Sequence, residues 1–167
     1  MKKVLILCCG NPLALDDGIG IYVLEELRKE ELPDYVELVD AGTGGLSILN
    51  LIEDAEKIII VDAVRTGGDI GTIHIIKGND LPEPESVNFS LHDLGLVDVL
   101  RIGETIMPES MPDDITIVGI EVEKSDEFGI GLTPEVEKTI PEVVRRILDE
   151  LSRLNSVQDL YYCDTYA

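Results

Sequence analysis

The sequence predicts an α/β fold, one domain built on a mostly parallel sheet. Three observations carry this. Apolar runs of strand length alternate with segments of helical spacing, the pattern of β–α–β units. The run Lys57 to Asp62 has almost no polar face, which suits a central strand buried on both sides. The chain has 167 residues, and a domain of that size buries roughly 70% of its unfolded surface, enough for a single core.

Lys3 to Cys9 is a short apolar run and reads as the first strand. The lysines before it imitate a secretory signal. However, no small-residue cleavage site follows, and the run meets the Gly10-Asn11 turn. From Asp17 to Glu31 the apolar residues Ile19, Val23, Leu24 and Leu27 recur at helical spacing. Tyr35 to Val39 is the second strand, closed by Asp40-Ala41-Gly42-Thr43-Gly44-Gly45, and Leu46 to Ile52 fits a short helix. After the third strand, Lys57 to Asp62, the compact Gly67-Gly68-Asp69 turn leads into Gly71 to Lys77. A turn that short predicts antiparallel pairing of this fourth strand with the third. Leu81 to Val87 is a loop rich in Pro and Glu, Leu91 to Ile102 a helix weakened by Gly95, and Ile115 to Val122 the last strand. Pro134 to Leu154 is a long amphipathic helix with Thr133 as its N-cap and Pro134 at the first helical position. Asn155 to Ala167 has little periodicity and is expected to be a loose tail, so the domain is placed at 1–154 and the tail at 155–167.

The formal net charge is −21. No basic stripe offsets it, which excludes nucleic acid and an acidic membrane as partners and favours solubility or a basic partner surface. No stretch reaches the roughly 18 to 20 apolar residues of a membrane span. The expectation is a cytoplasmic monomer without membrane insertion. Three cysteines make no disulfide framework. Cys8 and Cys9, adjacent on a strand, point to opposite faces and read as core residues. Cys163 lies in the polar, tyrosine-bearing tail.

Ligands of parallel α/β sheets bind outside the carboxyl ends of the strands. Asp17 follows strand one by a short loop, Asp40 ends strand two and Asp62 ends strand three, so all three belong to one edge. His92 comes from a later loop or helix start and must fold over that edge. Two carboxylates and one imidazole can hold a divalent cation and leave coordination positions open.

Each of these residues also has a structural reading. Acids are favoured at a helix N-terminus, which gives Asp16 the role of cap and leaves Asp17 to the edge. Gly18 and Gly20 each cost about 1 kcal/mol against Ala in a helix, which signals a close approach to the backbone. Asp62 ends an apolar run, where a carboxylate needs hydrogen bonds or a cation. The chain has two histidines, which excludes a three-histidine zinc site. His74, between Ile73 and Ile75, reads as a half-exposed sheet residue without a role. There is no His-Glu-x-x-His segment. A dinucleotide site fails on two grounds. The glycines do not follow Gly-x-Gly-x-x-Gly, and Asp16 and Asp17 would repel the pyrophosphate.

Taken together, five segments resemble the nickel–iron hydrogenase maturation endopeptidases. They are Gly10-Asn11 running into Asp16-Asp17-Gly18-x-Gly20; Asp40-x-Gly42-Thr43-x-Gly45; Val61-Asp62-Ala63; His92-Asp93-Leu94-Gly95-Leu96; and Gly131-Leu132-Thr133-Pro134. One departure is Cys8, which stands where a glycine is common in the family. The resemblance implies a twisted, mainly parallel five-stranded sheet with one antiparallel strand and helices on both faces. It implies that Asp17, Asp62 and His92 are the metal-binding and catalytic residues. The Asp17 position is glutamate in one branch of the family.

The resemblance further implies an endopeptidase with no permanent prosthetic group. Its partner is a hydrogenase large-subunit precursor, whose carboxyl-terminal extension it removes once nickel is inserted. The metal is thus carried by the substrate. Nickel favours such nitrogen and oxygen donors at an open site. The loop Asp40, Gly42, Thr43 and Gly45 is the expected contact for the extended tail or the developing oxyanion. The same ligands would serve a non-catalytic nickel-dependent chaperone of that precursor, the alternative function.

Overall fold

The structure of the chain, a computed structural model, describes residues 3–53, 55–81, 95–125 and 127–163, with 79 and 155–163 as backbone only. The elements are β1 (Val4–Cys9), α1 (Ile19–Leu27), β2 (Val36–Gly42), α2 (Ser47–Ile52), β3 (Lys57–Val64), β4 (Ile73–Lys77), α3 (Leu96–Ile106), β5 (Asp114–Glu121), α4 (Pro134–Glu137) and α5 (Ile140–Cys163). They build the predicted five-stranded sheet, ordered β2-β1-β3-β5-β4. β1 pairs in parallel with β2 and β3, and β3 with β5, while β4 runs antiparallel to β5.

The central strands are apolar on both sides because both sides are covered. Val4, Ile6 and Cys8 of β1 pack with Ile59 and Val61 of β3 under α1 and α5. The alternate residues Leu5, Leu7 and Cys9 pack with Ile58 and Ile60 under α2 and α3. Cys8 and Cys9 therefore face different cores, as the alternation of a strand requires. Burial pushes the Cys8 thiol up to about 12 and raises that of Cys9 as well, so both are inert packing groups. The chain leaves β1 toward β2 on one face and returns toward β3 on the other. That makes the crevice between the carboxyl ends of β1 and β3 the switch point of the sheet.

Several expectations give way to longer-range constraints. β4 lies beside β5, not beside β3. The reason is Glu121 at the end of β5, which is buried. Its carboxylate accepts from the Thr66 amide at 2.7 Å, the Thr66 hydroxyl at 2.7 Å and the Gly67 amide at 2.9 Å. Its carbonyl takes the Gly71 amide at 2.9 Å. The connection is thereby laid across the end of β5, and β4 descends on the far side. A buried carboxylate needs such donors, and here they hold its pKa below the usual range despite its burial.

The predicted helix from Pro134 is two helices. Pro141 lacks the amide that a continuous helix would use there, and the chain turns at Lys138-Thr139 before α5 begins. α5 then runs on to Cys163, through residues expected to be a loose tail. Residues 155–163 contain no Gly or Pro to stop it, and extending a formed helix adds one hydrogen bond per residue. Gly95 is not inside α3 but precedes it, and its amide donates to Asp98 at 3.2 Å. The expected start of that helix, Leu91 to Leu94, lies outside the described residues.

Opposite the carboxyl edge, the ammonium group of buried Lys57 at the start of β3 pairs with Asp114 and, at 2.9 Å, with Glu150 of α5. Lys77 reaches the same Glu150 at 2.6 Å. These pairs tie α5 to the sheet at the end that carries no candidate site.

Gly20 shows what the two early glycines are for. A Cβ placed there would lie 1.9 Å from the Cys9 carbonyl oxygen. A Cβ on Gly18 would lie 2.8 Å from the Pro12 Cα. The approaching group is the chain's own backbone rather than a ligand. Gly20→Ala should therefore destabilise the protein by about 2–3 kcal/mol, the range of an overpacked core. The check is the shift in urea midpoint, and an unchanged midpoint would refute the close approach.

Candidate active site

The loop from Gly10 to Gly18 is fixed at both ends. The Gly10 amide donates to the Gly42 carbonyl at 2.7 Å, and the Asn11 amide to the Asp17 carbonyl at 3.2 Å. Between them Leu15 takes a left-handed conformation, φ 52, which is unusual for a residue with a Cβ. Asp16 turns inward, and Asp17 stays partly open toward the sheet edge.

Asp16 is not the helix cap that the sequence suggests, because no side chain caps the helical turns there. Its carboxylate instead accepts from the Thr133 amide at 2.6 Å and the Thr133 hydroxyl at 2.8 Å. Thr133 in turn gives its hydroxyl to Asp16 rather than capping α4. The last loop is drawn onto the first by this pair. The Gly131 amide, donating to the Tyr22 hydroxyl at 3.1 Å, adds a second tie.

Asp62 is inside β3, two residues before its end, and not the terminal residue expected. Pairing with β1 stops at Val61, while pairing with β5 continues from Asp62 opposite Gly119 to Val64 opposite Glu121. Asp62 is thus the first position of β3 with no β1 neighbour, and it opens into the switch-point crevice. Asp17 and Asp62 line one cavity of about 470 Å³ together with Thr43, Gly45, Arg65 and Leu96.

Burial pushes the Asp62 carboxyl up to about 7; the Ala63 amide, donating at 2.8 Å, opposes this, the charge of Asp17 adds to it, and Arg65 opposes it. Arg65, immediately after β3, donates to Asp17 at 2.9 Å. Sequence reading missed Arg65, although a lone cation three residues after an acidic strand end is a signal. It also missed Thr133 as the partner of Asp16, since 117 residues separate them.

Of the expected tail contacts, Thr43 and Gly45 line the cavity. Asp40 and Gly42 stand behind them as supports. The Asp40 carboxylate accepts the Gly42 amide at 2.9 Å, and the Gly42 carbonyl holds Gly10. His92 lies outside the described residues, as do its neighbours 82–94. Among the described residues no three His, Cys, Asp or Glu side chains form a cation cage, and two of the three expected ligands are in view. Their donor set fits a hard or borderline divalent cation, being carboxylate oxygens of which one is paired with a cation already. His74, expected to have no role, sits 3.0 Å from Glu121 and belongs to the support of the Thr66 turn.

A doubly wound sheet with a carboxylate couple in its switch crevice is the frame of an α/β protein that binds its ligand at the strand ends. Comparison with known proteins makes the class specific. The model of a family described as hydrogenase maturation protease matches residues 21–150. The chain is 35% identical over 151 residues to the hydrogenase 2 maturation protease of Escherichia coli, covering 89% of this chain and 90% of that one. It is 34% identical over 163 residues to the coenzyme F420 hydrogenase subunit delta of Methanothermobacter thermautotrophicus, covering 89% and 94%. The solved hydrogenase maturating endopeptidase HybD from E. coli superposes with a TM-score of 0.76 at 35% identity, covering 90% of this chain and 93% of that one. The chain belongs to the hydrogenase maturation protease family and is a protease that acts in the processing of a hydrogenase. Among its described residues, no helix is long and apolar enough to cross a membrane.

The raised pKa of Asp62 has a consequence for stability. Below about pH 4 this carboxyl is protonated in both the folded and unfolded chain. Between about pH 4 and the folded value near 7 the unfolded chain releases the proton and the folded one keeps it, so stability falls as pH rises. Above that the penalty, on the order of 3–4 kcal/mol, is constant. Asp62→Asn escapes it. Its stability relative to wild type should grow by a few kcal/mol between pH 4 and 7 and then level off, measured by urea denaturation in chelator. A pH-independent difference would show that Asp62 titrates normally.

Proposed function

We propose that this protease removes the carboxyl-terminal extension of a nickel–iron hydrogenase large-subunit precursor after nickel insertion. In this reading it recognises the inserted nickel through Asp17, Asp62 and His92. The observation that carries it is the convergence of Asp17 and Asp62 on one cavity at the switch point. Two carboxylates there repel each other, and burial penalises the charge on one of them. A divalent cation relieves both costs. Because the metal arrives with the substrate, cleavage is gated by correct metallation.

The cavity also has a peptide-binding wall. Thr43 and Gly45, on a loop whose Gly42, Gly44 and Gly45 take positive φ, line it. An extended tail can lie along this backbone, which brings the scissile bond beside the carboxylates. When bound, the nickel supplies Lewis acidity toward the scissile carbonyl or a water. The residues of this chain do the rest. Asp17 and Asp62, on one cavity, hold the docked metal and with it fix where the scissile bond lies.

A protein substrate needs a docking surface as well as a cavity. Leu13, Phe128 and Ile130 are 57%, 84% and 80% exposed on two loops next to Asp17. The loops are joined, with the Gly129 amide donating to Leu13 at 2.8 Å and the Leu15 amide to Gly129 at 3.1 Å. Large exposed apolar side chains beside a cavity suit a protein partner. The surrounding acidic surface suits a partner with basic groups around an apolar contact. That surface is assigned to the precursor. Replacing both Phe128 and Ile130 by Ser should raise the KM for precursor about tenfold, while stability changes by less than about 1 kcal/mol. An unchanged KM would remove this surface from the interface.

The function itself is tested by intact mass spectrometry of the cognate precursor, with and without nickel, after incubation with the protein. Loss of a short carboxyl-terminal peptide from the nickel-loaded form alone is expected. An unchanged mass in a stable complex would mean a chaperone rather than a protease of this substrate. With Asp62→Asn, retained binding without cleavage is the outcome expected of a catalytic carboxylate. Loss of both would make it an anchor, and wild-type cleavage would exclude it from the site.

A further inference from the structure

One cation already belongs to the acidic cavity. The Nη2 of Arg65 donates to Asp17 Oδ1 at 2.9 Å, a pair that spans 48 residues of sequence. Other arginine and lysine pairs, such as Arg28 with Glu25 and Lys29 with Glu26, lie within single turns on exposed helical surface. Arg65 instead reaches from the end of β3 to the loop after β1 and lines the cavity. The two side chains are 41% and 34% exposed. They can part without disturbing the core. The backbone beside Arg65 cannot move as freely, because buried Glu121 holds the Thr66 and Gly67 amides. The movable part is therefore the arginine side chain.

We infer that Arg65 is the resident counter-cation of this cavity. It occupies Asp17 until metal presented by a docked precursor displaces it, and so it selects substrate-borne metal over free metal ions. This rests on the reading that Asp17 and Asp62 take up the precursor's nickel. A free divalent ion entering the cavity must break the Arg65–Asp17 hydrogen bond and then sit beside a guanidinium of like charge. Its affinity for the unliganded protein is lowered by both. A docked precursor adds its own contact surface, which supplies the differential binding free energy that swings the side chain out. Arg65 is thus a positioning residue that acts through Asp17 and does not touch the scissile bond.

The test is calorimetric titration of nickel chloride into the free protein at low salt. It compares wild type with Arg65→Gln, Arg65→Lys and Lys29→Gln. Lys29 follows α1 at the opposite end of the sheet and controls for net charge alone. Arg65→Gln should bind nickel about two- to fivefold tighter, the range for a partly exposed ion pair. Arg65→Lys and Lys29→Gln should stay within about twofold of wild type, and the gain should shrink as salt rises. The gain should also vanish in an Asp17→Asn background, which removes the carboxylate that Arg65 occupies. Equal or weaker binding by Arg65→Gln, a gain that survives Asp17→Asn, or no nickel binding by any of the proteins would each overturn the inference. Precursor cleavage assayed alongside separates the two ideas. Tighter nickel binding by Arg65→Gln with no cleavage by wild type would leave Arg65 as the counter-cation and remove the proposed substrate. Cleavage by wild type with no gain in Arg65→Gln would do the reverse.

Discussion

The geometry of the cavity depends on how closely the start of α1 lies on the end of β1. Only a hydrogen at Gly20 lets the helix meet the Cys9 carbonyl. That contact sets the height of the preceding loop above the sheet edge. The bond from Gly10 to Gly42 sets its sideways position over β2, and the Asp16–Thr133 pair closes its outer side. A loop held at three points has little freedom to relocate its next side chain. Asp17 is therefore aimed by backbone packing, and it needs no ligand to reach the crevice.

Asp62 arrives there by a different route. β3 outruns β1 by several residues, and its extra length is held by β5 alone. The same unequal lengths create the crevice and place a carboxylate at its floor. Glu121, two register positions beyond in β5 and opposite Val64, serves the turn after β3 and so fixes where Arg65 starts. Three acids near one sheet edge thus have three different tasks. Asp16 and Glu121 accept several protein donors each and are structural, while Asp62 accepts a single amide and carries an unmet demand for positive charge. That contrast in partners, more than burial, separates the acids that build the site from the acid that can work in it.

What the sequence revealed follows from which forces are local. Strand and helix alternation, the doubly buried β3 and the shared edge of Asp17 and Asp62 rest on periodicity and on the rule for parallel sheets, so they could be read directly. The partner of Asp16, the crossing of β5 by the turn after β3, and Arg65 over Asp17 depend on side chains that meet only after folding. Local chemistry favoured a cap for Asp16 because a helix does follow it. The two donors of Thr133 outbid that role. The break at Pro141 was legible in principle, since a proline seven residues into a helical pattern removes an amide that the helix needs. His92 belongs to a segment outside the described residues, so its place rests on the family motif alone.

With Arg65 seated, the couple Asp17–Asp62 and the guanidinium together bear one net negative charge when both acids are ionised. The burial of Asp62 disfavours that ionisation near neutral pH, so the resting site can approach neutrality by keeping one proton. A metal that enters must therefore displace a proton as well as a cation, and its apparent affinity falls as pH drops. A weak site for free metal is the arrangement that a gate for substrate metallation needs. A protease that filled its own cavity from solution would no longer distinguish a loaded precursor from an empty one. In the proposed reading, the acids, the arginine and the proton form one device, in which the free protein holds its own charges in place until a metal-bearing partner offers better ones.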